Sequence, residues 1–218
     1  MTTIRILLAD DEQLIRIGFA AILGAEPDMT VVAEAADGVE AVSLATEHRP
    51  DVVLMDVRMP GLTGIDATAH LVRTLSDPPR VLVVTTFEND SYVYEALRAG
   101  ATGFLLKRAR TEELLHAVRL VARGDSLLFP AAVRDLALRH APVAPDRGRV
   151  DKLSEREQTV LRLMAVGLSN PEIAGRIGVG AETVKTHVAR ILAKLAVRDR
   201  TQAVIAAYES GFVTAGGT

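Results

Sequence analysis

The chain has 218 residues, room for one large domain or two small ones, and 49% of them are apolar, an ordinary share for a buried core. It has no cysteine, which excludes disulfides and thiolate metal sites, and no secretory signal or apolar run of membrane-spanning length, so a cytoplasmic protein with no membrane partner is expected. The net charge of −3 is unevenly spread: residues 1–146 hold 14 Lys and Arg against 21 Asp and Glu, net −7, while residues 147–218 hold 11 against 7, net +4. An acidic front and a basic rear point to two domains, the rear one suited to nucleic acid.

Residues 4–9 (Ile-Arg-Ile-Leu-Leu-Ala) read as a strand, followed by Asp10, Asp11 and Glu12 and a helical pattern to about Leu23. Thr30–Ala33 is a second strand and Asp37 to His48 a second helix. Asp51–Met55 is a third strand, which stops at Asp56 before the Pro60-Gly61 turn. A helix from about Gly64 to Leu75 precedes the breaker Pro78-Pro79, and Arg80–Val84 forms a fourth strand ending at Thr85. Asp90–Ala99 is a helix closed by Gly100, Thr102–Leu106 a fifth strand ending at Lys107, and Thr111 opens a fifth helix that stops near Gly124. Five alternating strand–helix units predict an α/β doubly wound, five-stranded parallel sheet.

In such a sheet, ligands bind beyond the carboxyl ends of the strands. Asp10 and Asp11 after strand one, Asp56 on strand three, Thr85 on strand four and Lys107 after strand five all fall at that edge. Three carboxylates brought together repel one another unless a cation sits among them, and hard oxygen ligands suit Mg²⁺. Lys107 and Thr85 could hold the oxygens of a phosphoryl group on Asp56. Helix capping accounts for Asp11 or Glu12, but not for Asp56 before a Pro-Gly turn or for a lysine at the same edge. An aspartyl-phosphate hydrolase would need a second acid two residues after its nucleophile, where Arg58 stands. A dinucleotide-binding enzyme would need a Gly-rich turn where Asp10-Asp11 would repel a pyrophosphate.

Asp10-Asp11, Asp56 with Met59-Pro60-Gly61, Thr85 and Lys107 resemble the receiver domain of two-component response regulators in order and spacing. The resemblance implies a flavodoxin-like receiver over residues 1–124 and a phosphoryl group accepted on Asp56 from a sensor histidine kinase. It implies Mg²⁺ held by Asp10, Asp11, Asp56 and the backbone carbonyl of Arg58, with Asp10 acting partly through water. It assigns Thr85 and Lys107 to the phosphoryl oxygens and places Phe104 at the position of a switch aromatic, although strand periodicity alone makes Phe104 an ordinary core residue.

Residues 125–149 read as a linker. Within it Phe129–His140 could form a short helix, and the Pro- and Ala-rich stretch 141–148 an extended tether. Residues 150–218 read as a small all-α domain. Ser154-x-x-Glu157 and Ser169-Asn170-Pro171-Glu172 are capping boxes, Gly178-Val179-Gly180 is a tight turn, a third helix spans about Ala181 to Leu195, and Asp199-x-x-Gln202 opens a fourth that ends near Gly211. Two helices around a short Gly-containing turn are a helix-turn-helix. At about 100° per residue, Val184, Val188, Ile191 and Leu195 share one stripe of the third helix. Glu182, Thr186, Ala189 and Ala193 lie opposite, flanked by Lys185 and Arg190. Small residues between basic ones suit a major groove, and an amphipathic surface helix fits the same pattern.

Leu153-Ser154-x-Arg156-Glu157, Gly167-Leu168-Ser169-Asn170-x-Glu172-Ile173-Ala174 and Thr183-Val184-Lys185-Thr186-His187-Val188 closely resemble the LuxR-type DNA-binding domain. Joined to a receiver, this resembles a response regulator of the NarL/FixJ type: a transcription regulator rather than an enzyme, binding promoter DNA as a phosphorylation-promoted homodimer. By resemblance Lys185, Thr186 and Ala189 face the groove, Arg190 and Lys194 are phosphate candidates, and His187 is a packing or phosphate residue. Gly180 stands where a serine cap is usual. Ala203, Val204, Ala207 and Tyr208 of the fourth helix resemble the family's dimerisation element, and packing on their own domain accounts for part of the same pattern. The competing reading is a receiver that works by protein contact, with the rear domain as a docking module.

Overall fold

The structure, a computed structural model, describes residues 3–86, 90–124, 130–140 and 148–214. The described chain forms two compact units, residues 1–123 and 124–218. The first alternates β1 (Ile4–Ala9), α1 (Gln13–Gly24), β2 (Met29–Ala35), α2 (Gly38–His48), β3 (Val52–Asp56), α3 (Gly64–Thr74), β4 (Arg80–Thr85), α4 (Asp90–Ala99), β5 (Gly103–Leu106) and α5 (Thr111–Arg123). The sheet is five-stranded and parallel throughout, in the order β2-β1-β3-β4-β5. All five residues of β3 are buried, as a central strand covered on both faces requires. Helices α2, α3 and α4 pack side by side, α1 packs on β1 and β2, and α5 packs across β3, β4 and β5.

Local chemistry sets the helix starts. Asp37 accepts the N–H groups of Val39 and Glu40 at 2.8 Å each and opens α2; Thr63 accepts from Asp66 at 3.1 Å and opens α3. Strand β2 is longer than the expected Thr30–Ala33. It lies at the sheet edge, where exposed Thr30 and Glu34 interrupt the apolar run yet leave the backbone free to pair. Arg119 of α5 grips Asp28 through Nε at 2.8 Å and Nη2 at 2.7 Å, and reaches Glu26 at 2.6 Å, tying α5 to the α1–β2 connection.

The second unit holds α6 (Pro130–Arg139), a single 3₁₀ turn (Val150–Lys152), α7 (Glu155–Ala165), α8 (Asn170–Ile177), α9 (Ala181–Leu195) and α10 (Arg200–Glu209). Ser154 and Glu157 cap reciprocally, the Ser154 N–H meeting the Glu157 carboxylate at 2.8 Å; the Ser169 N–H meets Glu172 at 2.7 Å, and Asp199 caps α10 by accepting from Gln202 at 3.0 Å. Gly178, at φ 70°, ends α8 in the left-handed conformation. The sequence assigns α6 to the linker, but it belongs to this unit: Val133, Leu136 and Ala137 are buried and α6 packs on α10. Phe129, the rest of 125–129, and 141–147 of the expected tether lie outside the described residues. Among the described residues no helix is long and apolar enough to cross a membrane.

Candidate functional site

The sheet register builds the first site. Ala9 of β1 pairs with Met55 of β3, so Asp10 and Asp56 emerge side by side where the strand order reverses between β1 and β3. The Asp10 N–H donates to the Ala35 carbonyl at 3.1 Å, extending the ladder by one residue. Asp56 pairs with Val84, Thr85 ends β4 and is buried, and the Lys107 N–H donates to the Thr85 carbonyl at 2.8 Å. The structure thus brings Asp10, Asp11, Asp56, Thr85 and Lys107 to one edge. Phe104, half-buried on β5, pairs with Val83 one strand away. Arg58 is exposed just beyond β3.

One ammonium serves three carboxylates. Lys107 Nζ lies 2.7 Å from Asp10 Oδ2, 3.2 Å from Glu12 Oε1 and 3.5 Å from Asp56 Oδ2. Burial drives the Asp56 carboxyl up to about 6; Lys107 pulls it down and the neighbouring Asp10 pushes it up. Burial works against the Lys107 ammonium, but the Asp10 hydrogen bond and the Asp56 charge outweigh it and hold its pKa above the ordinary lysine value. Asp10, Asp11 and Asp56 can each present a carboxylate oxygen, all within 4.8 Å of one another. A hard oxygen set with more negative charge than Lys107 neutralises fits Mg²⁺.

Three residues of this site escape a reading of the sequence. Glu12 stands at the N-cap of α1 but makes no side-chain capping bond; Asp10 Oδ1 accepts the Glu12 N–H instead, at 2.9 Å, and the Glu12 carboxylate goes to Lys107. Arg16 Nη1 donates to the Asp10 carbonyl at 2.6 Å, a bond its place one turn into α1 could have suggested. Gly64 lets α3 start directly against β3: its N–H bonds the Val57 carbonyl at 3.0 Å, and a Cβ there would lie 1.8 Å from the Asp56 carbonyl oxygen. No local pattern signals that approach.

The second site is α9. Val184, Ile191 and Leu195 are buried and Val188 half-buried, so the apolar stripe faces the domain. Lys185, Thr186, Ala189 and Arg190 are exposed together on the remaining face. Lys185 Nζ pairs with Glu182 at 2.7 Å, one turn back, and the Thr186 hydroxyl donates to the Glu182 carbonyl at 3.1 Å. His187 is half-buried, with Nδ1 enclosed and bonded to nothing among the described residues, a packing position. Arg149 donates to the Leu195 carbonyl at 3.2 Å and Arg156 to the Ile177 carbonyl at 2.7 Å, so arginines cap the C-termini of α9 and α8.

Two sets of expected residues have partners inside this unit. The phosphate candidate Lys194 also has a partner within the domain: its ammonium lies 2.6 Å from the buried Glu157 carboxylate and ties α9 to α7. Burial pushes the Glu157 carboxyl upward, but Lys194 and the Ser154 N–H prevail and hold it below its ordinary value. Ala203, Val204, Ala207 and Tyr208 do not form a dimer surface in this structure. All four are buried in their own unit, because α10 is enclosed by α7, α9 and α6, and the Tyr208 hydroxyl donates to the Ala165 carbonyl at 3.1 Å.

Comparisons with known proteins agree with this geometry. Residues 6–119 match the response regulator receiver domain, and residues 151–207 match the luxR family of bacterial regulatory proteins. The chain is 41% identical over 210 residues to the transcriptional regulatory protein LiaR of Bacillus subtilis, covering 96% of this chain and 99% of LiaR. It is 39% identical over 211 residues to the response regulator VraR of Staphylococcus aureus, covering 97% and 99%. Among solved structures it is similar to the response regulator ChrA of a heme-sensing two-component system, with 36% identity, 98% of this chain and 100% of that chain covered, and a TM-score of 0.53. The receiver domain of NarL from Mycobacterium tuberculosis aligns at 40% identity over 57% of this chain and 99% of its own, with a TM-score of 0.55.

Proposed function

The chain belongs to the response regulators that join a receiver domain to a LuxR-type DNA-binding domain, and on that premise we propose that phosphorylation of Asp56 by a sensor histidine kinase controls its binding to promoter DNA. The observation that carries this reading is the convergence of Asp10, Asp56 and Lys107 on one buried edge of the sheet. An Asp56 oxygen attacks the phosphorus of the donor phosphohistidine; the P–N bond breaks, a P–O bond to Asp56 forms, and the imidazole leaves. Asp56 attacks as the carboxylate, and with its pKa near 6 it is mostly ionised at pH 7. Asp10, Asp11, Asp56 and the Arg58 carbonyl would hold Mg²⁺, whose positive charge offsets the negative charge gathered during transfer. Lys107 and the Thr85 hydroxyl then bind the phosphoryl oxygens, and the added charge draws both inward, with Phe104 following.

In the rear domain Lys185, Thr186 and Ala189 enter the major groove, Ala189 touching little beyond a thymine methyl, while Arg190 contacts phosphate. His187 supports the helix from behind. A phosphorylated homodimer would read an inverted repeat, because two-fold symmetry in the protein is matched by two-fold symmetry in the site. Its contact surface must differ from the buried face of α10, or α10 must first be uncovered.

The test uses acetyl phosphate with Mg²⁺. Wild type should be labelled once, on Asp56, and Asp56→Asn not at all; full labelling of the variant overturns the site. In a genomic-DNA pull-down, inverted-repeat fragments should enrich with phosphorylated wild type and not with Asp56→Ala. Equal enrichment by both removes the switch but keeps DNA binding, and enrichment by neither favours a protein-docking role for the rear domain.

A further inference from the structure

Lys107 has three acidic neighbours, and two of them have another duty. Asp10 and Asp56 belong to the oxygen set that fits a divalent cation; the Glu12 carboxylate is outside that set. Once Asp10 and Asp56 turn their oxygens to a cation, Glu12 is the one of the three still fully available to the Lys107 ammonium. We propose that Glu12 is a positioning residue that draws Lys107 away from the phosphoryl position and so sets how readily Asp56 takes and keeps its phosphoryl group. This rests on the function proposed above.

Four observations support it. Glu12 sits at the N-cap of α1, where a carboxylate ordinarily bonds the first N–H groups of the helix, yet its side chain makes no such bond. It reaches instead to Lys107, 95 residues away, at 3.2 Å. Its main chain is fixed: the Glu12 N–H donates to Asp10, and the Glu12 carbonyl accepts from Ile15 at 3.0 Å and Arg16 at 3.2 Å, so the carboxylate starts from a fixed backbone beside Lys107. Finally, its side chain is 60% exposed while that of Lys107 is 6% exposed, so Glu12 meets the buried lysine from the solvent side of the pocket.

Lysine is a compact charge on a flexible stem, and a shift of an ångström or two changes its partner. The ammonium is 2.7 Å from Asp10, 3.2 Å from Glu12 and 3.5 Å from Asp56, and a move toward an oxygen of phosphorylated Asp56 weakens its hold on Glu12. The two anions compete for one cation. A neutral side chain of the same length ends that competition and leaves the cation-binding acids unchanged.

The experiment compares full-length wild type, Glu12→Gln, Lys107→Ala and the double variant. Beryllofluoride, a stable phosphoryl analogue, is titrated with Mg²⁺ present; labelling by acetyl phosphate, in which the bridging P–O bond breaks, the Asp56–phosphorus bond forms and acetate leaves, is followed in parallel. Glu12→Gln should bind beryllofluoride several-fold tighter and label several-fold faster, with Mg²⁺ affinity unchanged within twofold. In the Lys107→Ala background the same substitution should change nothing, because the effect passes through Lys107. A gain that persists without Lys107 means that Glu12 only repels the anionic donor, and overturns the proposal. So does a tenfold loss of Mg²⁺ affinity in Glu12→Gln, which makes Glu12 a metal ligand, or an unchanged beryllofluoride affinity. If wild type is not labelled on Asp56, the proposed function falls and this inference with it; a labelled wild type with an inert Glu12→Gln removes only this inference.

Discussion

At the carboxyl edge of the sheet, Asp10, Asp56 and Lys107 are buried and the charges do not balance. On α9, Lys185 and Glu182 have exposed side chains, 57% and 84%, and pair within a helical turn. In the first place charge is confined by tertiary contacts, in a medium that screens it poorly, and burial holds the Asp56 carboxyl up near 6. In the second, water and salt screen each charge. On the proposed function, the first arrangement would respond to one added cation or one phosphoryl group. On the same reading, the second would act through a sum over many weak contacts, as binding to a phosphate backbone requires.

Substitutions at the two places should differ in size and in what they report. The largest effect is expected at Gly64, where a Cβ would lie 1.8 Å from the Asp56 carbonyl oxygen. Backbone on both sides cannot yield, so Gly64→Ala should cost more than about 4 kcal/mol, read as the loss of the receiver transition in calorimetry. A loss below about 1 kcal/mol would mean that α3 and β3 slide apart easily, and the buried site would be far less rigid than its contacts indicate.

Next in size is Asp56→Asn. The folded carboxyl holds its proton up to about 6, above the ordinary value of 3.8. The folded state therefore binds more protons than the unfolded chain between those values, and the wild type loses stability as pH rises from about 4 to about 6. Asn carries no such cost, so without Mg²⁺ the variant should be the more stable at pH 7, by about 1–3 kcal/mol, and the gap should close toward pH 4. A gap that widens in acid would mean that Asp56 is stabilised as the carboxylate, and the contrast with α9 would fail.

Lys185→Ala should leave stability nearly unchanged and cost about 1–3 kcal/mol of site-specific DNA binding if the lysine reads a base. An equal loss on random DNA, with a shallower salt dependence, would assign it to the backbone. The smallest effect belongs to Gly180, the N-cap of α9, which has no side chain to bond the helix start and room for one, its nearest foreign atom being Thr183 Oγ1 at 4.0 Å from a Cβ. Gly180→Ser should stabilise the rear domain by a few tenths of a kcal/mol in a urea titration.

Much of this molecule is written locally. The apolar runs of β1, β3 and β4, the capping boxes at Ser154 and Ser169, and the stripe of Val184, Ile191 and Leu195 on α9 follow from neighbours in sequence, because strand and helix periods repeat over a few residues. The rule that a parallel sheet gathers ligands at its carboxyl edge then collects Asp10, Asp56, Thr85 and Lys107 from positions far apart in the chain. Other features were out of reach of that reasoning. Glu12 looks like a helix cap until its partner 95 residues away is in view. Lys194 looks like a free cation until α7 brings Glu157 beneath it. The apolar face of α10 reads as a surface for a second chain, but α6, α7 and α9 cover it.

By itself, then, the sequence determined which elements form, their order, and which acids and lysine share one edge, since those depend on local periodicity and strand order. Only the tertiary structure decided which charge meets which and which apolar face stays covered. Those outcomes depend on distances of a few ångströms between residues that no local pattern connects.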